Sequence, residues 1–129
     1  MIGRGVKIAL ALVTTLSAAP VTPQTYQGFS VYYPAGLFER VAANRHMAPA
    51  SCMAATSRLP LGRWIDVLGQ RTGVSRRCRV LDICQPSDCP ALRRRRIVVE
   101  LDELSSLAVC GHLNEPARKC PVVVTEGTP

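Results

Sequence analysis

The chain has 129 residues, of which 47% are hydrophobic and 19% are charged. This composition excludes a disordered protein and leaves room for one small domain. The formal net charge is +7, which favours anionic partners, but the six aromatic residues do not alternate with the basic ones as stacking platforms for nucleic acid do. We therefore expect no nucleic-acid partner.

The N-terminus has the layout of a secretory signal peptide. Arg4 and Lys7 precede an uncharged run over residues 8–16, and the small residues 17–19 follow it. The pattern predicts a periplasmic or secreted protein whose membrane contact is limited to this segment. A buried N-terminal helix, an uncleaved anchor, and cleavage after Ala18 rather than Ala19 remain alternatives. Residues 20–27 are rich in Pro, Thr and Gln, which predicts a flexible or extended linker.

The six cysteines agree with an oxidising compartment, because disulfides persist there. Their spacings do not match those of zinc sites, so we expect neither a metal nor another cofactor. Six cysteines allow fifteen pairings, and the sequence alone does not choose among them. We favour Cys84 with Cys89 across a short Pro-bounded loop and Cys110 with Cys120 between a helix end and the last strand, which leaves Cys52 with Cys78.

Strand patterns dominate residues 28–125, which we predict to form the domain, and residues 126–129 form a polar tail. Residues 29–33 alternate as a first strand, and residues 37–43 can form one or two helical turns before a loop that contains His46. Residues 53–55 should be buried. Two alternating runs, 64–68 and 78–83, flank a turn with Gly69 and Gly73, which predicts a β-hairpin.

The second half begins with a predicted loop over residues 84–90 that leads into four consecutive arginines. Such a run is usually a solvated loop, although four guanidinium groups can also clamp carboxylates or phosphates. Residues 97–99 are a buried strand. Asp102 is a predicted N-cap, and Gly111 is the predicted end of a short helix. Residues 112–119 form a loop, and residues 120–124 form a closing strand.

The order of these motifs resembles the rare lipoprotein A-like double-psi β-barrels, which are related to expansins and barwin-like proteins. The resemblance is carried by YYPAG at 32–36, MAATSRLPLG at 53–62, VLD at 80–82, VVELD at 98–102 and the helix that ends at Gly111. It covers nearly all of the chain after residue 27. It implies a six-stranded double-psi β-barrel with one or two short helices, stapled here by three disulfides.

The resemblance also implies a function at the bacterial cell wall. The aspartate that matches Asp82 lines the sugar groove of the family and is the catalytic acid of its active members. The position of Glu100 also carries an acid, at a strand end where we expect a smaller effect. Two further family acids fall at Arg45 and Ala48 in an ungapped comparison, and this chain has neither. The residues expected to contact glycan are Tyr33, Arg58, Trp64, Arg79, Glu100, Arg93, Arg94, Arg95 and Arg96.

Two functions from different classes follow. One is glycan cleavage of the lytic transglycosylase type, in which a hydroxyl of the substrate is the nucleophile, so that Asp82 alone can serve as acid and base. The other is a catalytically degenerate barrel that binds peptidoglycan or is an exported or virion structural part. In both readings the expected partner is peptidoglycan or another anionic wall glycan. A protein partner, as for a secreted inhibitor or effector, is a third possibility.

Overall fold

The computed structural model describes residues 23–113 and 119–127. The expected signal segment and the first linker residues lie outside the described residues. So do most of the loop after His112 and the last two residues of the tail. The described elements, in chain order, are β1 (Thr25–Tyr32), α1 (Leu37–Asn44), β2 (Met53–Thr56), β3 (Trp64–Gly69), β4 (Ser75–Ile83), α2 (Cys89–Arg94), β5 (Ile97–Leu101), α3 (Glu103–Cys110) and β6 (Cys120–Glu126).

The six strands close into one barrel with the order β1-β5-β2-β4-β3-β6. The pairs β1/β5 and β2/β4 are parallel, and the other neighbours are antiparallel. Each parallel pair needs a crossover connection, because a tight hairpin can join only antiparallel strands. The expected closed six-stranded barrel is therefore confirmed, with two crossovers in it.

Three local expectations need correction. β1 begins at Thr25, so the last part of the predicted linker is an ordered strand that pairs with β6. The described chain has three short helices rather than one or two. The extra helix is α2, which contains Arg93 and Arg94 in its last turn. Pro90 lies in the first turn of α2, where its missing N–H costs no hydrogen bond, so a proline that suggested a loop begins a helix instead.

The inner core fills the barrel. On β3, Ile65 and Val67 are fully buried whereas Asp66 and Leu68 are exposed, which is the period of a strand with one buried face. The fifteen buried residues of this core come from β2 to β6, from α3 and from the loops, and they include the Cys52–Cys78 and Cys110–Cys120 disulfides. Burial of this apolar surface is the main force that holds the strands together.

A second, smaller core lies outside the barrel under α1. Phe38 and Ala42 on α1 pack against Met53, Ala55 and Leu81 of the strands below. On β2, Met53 and Ala55 therefore face outward, and Ala54 between them faces the inner core. α1 is thus fixed to the outer surface of the barrel.

Two glycines allow close backbone approach. A Cβ at Gly28 would lie 2.4 Å from the Arg96 carbonyl oxygen, and one at Gly69 would lie 2.0 Å from the Val109 carbonyl oxygen. Any other residue would clash with backbone at these points. Gly28 lets β1 pass β5, and Gly69 lets α3 rest directly on β3.

All six cysteines are paired as Cys52–Cys78, Cys84–Cys89 and Cys110–Cys120, which confirms the favoured pairing. Three disulfides are compatible with an oxidising, extracellular environment. Within the part of the chain that the structure describes, no helix is both long and apolar enough to cross a membrane.

Candidate functional site

Two acidic residues flank one small residue on the outer face of the barrel. Ala55 of β2 is the register partner of Asp82 on β4 and of Glu100 on β5. Directly paired residues share a face of the sheet, so both acids lie on the outer face, beside the core under α1. The register between β2 and β4 shifts at Ala54 and Ala55, and such irregularities re-aim neighbouring side chains.

The Asp82 carboxylate accepts three hydrogen bonds. Tyr33 Oη donates to Oδ2 at 3.1 Å, and both Arg45 Nη2, at 2.8 Å, and the backbone N–H of Ile83, at 3.0 Å, donate to Oδ1. Both oxygens of the carboxylate therefore serve as acceptors, and one of the three donors is a guanidinium.

Glu100 has contrasting surroundings. Burial raises the pKa of its carboxyl group, and the negative charges of Asp82 and Asp88 raise it further, whereas the hydrogen bond to Tyr33 acts in the opposite direction. No arginine forms a salt bridge with Glu100 among the described residues. Glu100 thus retains its proton to a higher pH than an ordinary glutamate does.

Tyr33 links the two acids. Its hydroxyl hydrogen-bonds Asp82 and also lies within hydrogen-bonding reach of Glu100. The two carboxyl groups therefore lie on either side of one phenol. Burial, followed by the charges of Glu100 and Asp82, raises the pKa of Tyr33, so its phenol stays neutral. The ring stacks on Phe38 with centroids 4.4 Å apart, which fixes the position of the hydroxyl.

Arg45 reaches Asp82 from the C-terminal end of α1. The helix ends in a Schellman turn, in which the N–H of His46 donates to Ala43 O at 3.2 Å and that of Met47 donates to Ala42 O at 2.9 Å. His46 has a φ of 54° and occupies the left-handed position where glycine is usual. Met47 packs against the core under α1. The backbone of Arg45 is therefore held in one place.

Tyr33, Arg45, Asp82 and Glu100 line an open groove with a volume of about 610 Å³. One wall comes from the loop that the Cys84–Cys89 disulfide closes and from α2 behind it. Arg95, at the end of α2, adds a second guanidinium group. The groove has both polar and apolar lining, which is the usual character of a ligand site. The residues that carry its chemistry are Tyr33, Arg45, Asp82, Asp88, Arg95 and Glu100.

The structure brings some of the sequence-predicted residues into this groove and leaves others elsewhere. Tyr33, Asp82, Arg95 and Glu100 line it. The others do not: Arg58 covers the ring of Tyr26, Trp64 lies under Arg77, Arg79 donates to Ala48 O at 3.4 Å, and Arg93, Arg94 and Arg96 are exposed. A glycan bound in the groove would meet one arginine of the run rather than four.

The sequence did not identify Arg45 as a site residue. It entered only as a departure, at a position where the resembling family has an acid. The sequence did contain one clue. Arg45 stands where the resembling family has an acid, and a cation at that position can form an ion pair with a carboxylate such as that of Asp82. The span of 37 residues between Arg45 and Asp82 gives no hint of contact until the fold is known.

Neither models of known protein families nor curated protein sequences match this chain. Among the described residues, no group of three or more His, Cys, Asp or Glu side chains is placed to hold a metal ion. The groove itself offers carboxyl groups, a phenol and guanidinium groups.

Proposed function

We propose that this protein is exported and acts on cell-wall glycan, and that its groove cleaves peptidoglycan in the manner of a lytic transglycosylase. One observation carries the proposal: two carboxyl groups with opposed surroundings share one groove. Glu100 is partly buried and forms no salt bridge among the described residues, whereas Asp82 is paired with Arg45. Pairs of acids held in different protonation states divide the roles of general acid and general base.

The two roles fit the bond changes of the reaction. Glu100 gives its proton to the oxygen of the leaving sugar as the bond from that oxygen to the anomeric carbon breaks. The C6 hydroxyl of the muramic acid ring attacks the anomeric carbon, forms the new C–O bond, and loses its proton to Asp82. No water is consumed. This assignment moves the acid role from Asp82, where the sequence suggested it, to Glu100 and keeps Asp82 as the base.

Tyr33 supports the cycle. After one turnover the proton is on Asp82 and Glu100 is ionised, so the pair must be reset. A neutral phenol that hydrogen-bonds both groups can accept a proton on one side and donate its own on the other. Tyr33 occupies that position.

The test is release of soluble fragments from purified sacculi, measured by mass spectrometry. We expect anhydro-muropeptides from the wild-type protein and a rate loss of about 10²–10⁴ in Glu100→Gln and in Asp82→Asn, which is the range for a missing general acid or base. Glu39→Gln is the matched control, because Glu39 is exposed on α1 and does not line the groove. Full activity in both groove variants would show that the wrong acids have been chosen.

A second function is favoured by the Arg45–Asp82 ion pair at 2.8 Å. A base that a guanidinium already neutralises is a weaker base, which suits a groove that only holds glycan through hydrogen bonds. In that case wild-type protein would sediment with sacculi without releasing fragments. Asp82→Asn would then retain most of the binding, because an amide of the same shape keeps an acceptor oxygen.

A further inference from the structure

Arg45 has more hydrogen-bonding capacity than Asp82 uses. Its described contact with Asp82 is a single one, from Nη2 to Oδ1. A guanidinium carries N–H donors on all three nitrogens in a planar fork. The Arg45 side chain is 39% exposed, whereas that of Asp82 is 17% exposed. The donors that face away from Asp82 are therefore open to the groove.

The guanidinium is also held in place before any ligand arrives. The Schellman turn fixes its backbone, and the contact with Asp82 orients its head group. A donor that is oriented in advance loses less conformational entropy on binding than a free surface arginine does. This separates Arg45 from Arg40 of α1, which does not line the groove.

A planar fork of N–H donors matches the two oxygens of a carboxylate. Hydroxyl and acetamido groups of neutral sugars offer no such pair of charged acceptors. A carboxylate on the ligand would also share the positive charge of Arg45 with Asp82.

We infer that Arg45 is a specificity residue that reserves the groove for saccharides carrying a free carboxylate. The inference rests on the proposed function and narrows its substrate class. Two sources offer this chemistry in peptidoglycan: the lactyl group of a muramic acid without its peptide, and the side-chain or terminal carboxylates of an attached peptide. Arg95 lines the same groove and is the candidate for a second contact.

The experiment is a calorimetric titration with three matched tetrasaccharides of alternating N-acetylglucosamine and N-acetylmuramic acid. The first has free lactyl carboxylates, the second has them amidated, and the third carries peptides on them. We expect the wild-type protein to bind at least one carboxylate-bearing form about tenfold more tightly than the amidated form, as one charge-assisted bidentate contact would give. The form that is preferred identifies the source of the carboxylate.

Arg45→Ala should weaken binding of the preferred carboxylate-bearing form about tenfold more than it weakens binding of the amidated form, so that the preference is lost. Arg45→Lys should keep part of it, because the charge remains without the fork. Arg40→Ala should keep all of it. A purely structural role for Arg45 would instead weaken all three ligands equally. The inference is overturned, with the proposed function intact, if wild-type protein binds charged and amidated forms alike. Failure to bind any of the three would contradict both.

Discussion

The inner and outer faces of the same three strands serve different purposes. On β2, β4 and β5, the inward residues Ala54, Val80 and Leu101 are fully buried in the barrel core. On the outer face of these strands, Asp82 and Glu100 flank Ala55 and supply acids of the groove, and the register shift between β2 and β4 brings Asp82 outward although it lies two residues from Val80. Because the two faces carry different side chains, stability and chemistry are set by different residues. Substitutions on the two faces should therefore have separable effects.

The largest loss of stability is expected from the inner face. Ile65 is completely buried, so Ile65→Ala removes apolar contacts and leaves a cavity in a closed barrel. The free energy of unfolding should fall by about 2–5 kcal/mol. Urea unfolding followed by circular dichroism measures it. Leu104 is 78% exposed on α3, so Leu104→Ala should change stability by no more than about 0.5 kcal/mol. Equal effects would mean that the inner face is not the main core.

Much of this inner architecture can be read from the sequence. The alternation of apolar and polar residues predicts the hairpin of β3 and β4, because a half-buried strand must alternate. Asp102 does cap α3, since its side chain accepts a hydrogen bond from the N–H of Ser105. The helix ends at Gly111 with a φ of 78°. These signals are local, and each has one dominant physical cause.

The outer face is harder to predict, because its properties arise from non-local contacts. Nothing local distinguishes Glu100, whose pKa depends on burial between Tyr33 and Asp82. The hydrogen bond between Tyr33 and Asp82 spans 49 residues. Arg58 and Arg79 are chemically suitable for glycan, but Arg58 lies after β2 against Tyr26, and Arg79 on β4 reaches Ala48. The resemblance identified Tyr33, Asp82 and Glu100 as site residues. The hydrogen bonds that join them follow only from the fold.

The disulfides allow a second comparison of the inner core with the groove, because two of them are in the inner core and one borders the groove. Removing Cys52–Cys78 by double serine substitution frees a loop with a sequence separation of 26 and should cost about 3.5 kcal/mol by loop entropy. Removing Cys84–Cys89, with a separation of 5, should cost about 2 kcal/mol. Thermal unfolding without reductant compares the two.

The same two disulfide variants should rank in the opposite order when the loss of glycan binding is measured instead of the loss of stability. Cys84 and the residues that follow it line the groove, so a loosened loop should weaken glycan binding at temperatures where the protein is still folded. The Cys52–Cys78 variant should bind normally under those conditions. Undiminished binding in the Cys84–Cys89 variant would mean that this loop does not shape the site.

The smallest effect is the dependence of stability on pH through Glu100. Burial raises the pKa of this carboxyl above the ordinary value of 4.5, so the folded state binds the proton more tightly than the unfolded state does. Ionisation of Glu100 therefore costs stability as the pH rises from 4.5 through the raised pKa. Glu100→Gln avoids this cost. The variant should be more stable than wild type at about pH 7, and the difference should shrink at about pH 3. Denaturant midpoints at both pH values test this, and a constant difference would contradict it.

The position of β6 has a consequence for how the chain folds. β6 closes the barrel by pairing with β1 on one side and with β3 on the other. Until β6 docks, β1 and β3 each present an unpaired edge, and such edges can pair with those of another molecule. Closure also joins strands at opposite ends of the described chain, which makes it slow. Partly folded chains are thus exposed to self-association until this one strand is in place, and the Cys110–Cys120 bond, which ties β6 to α3, shortens that interval.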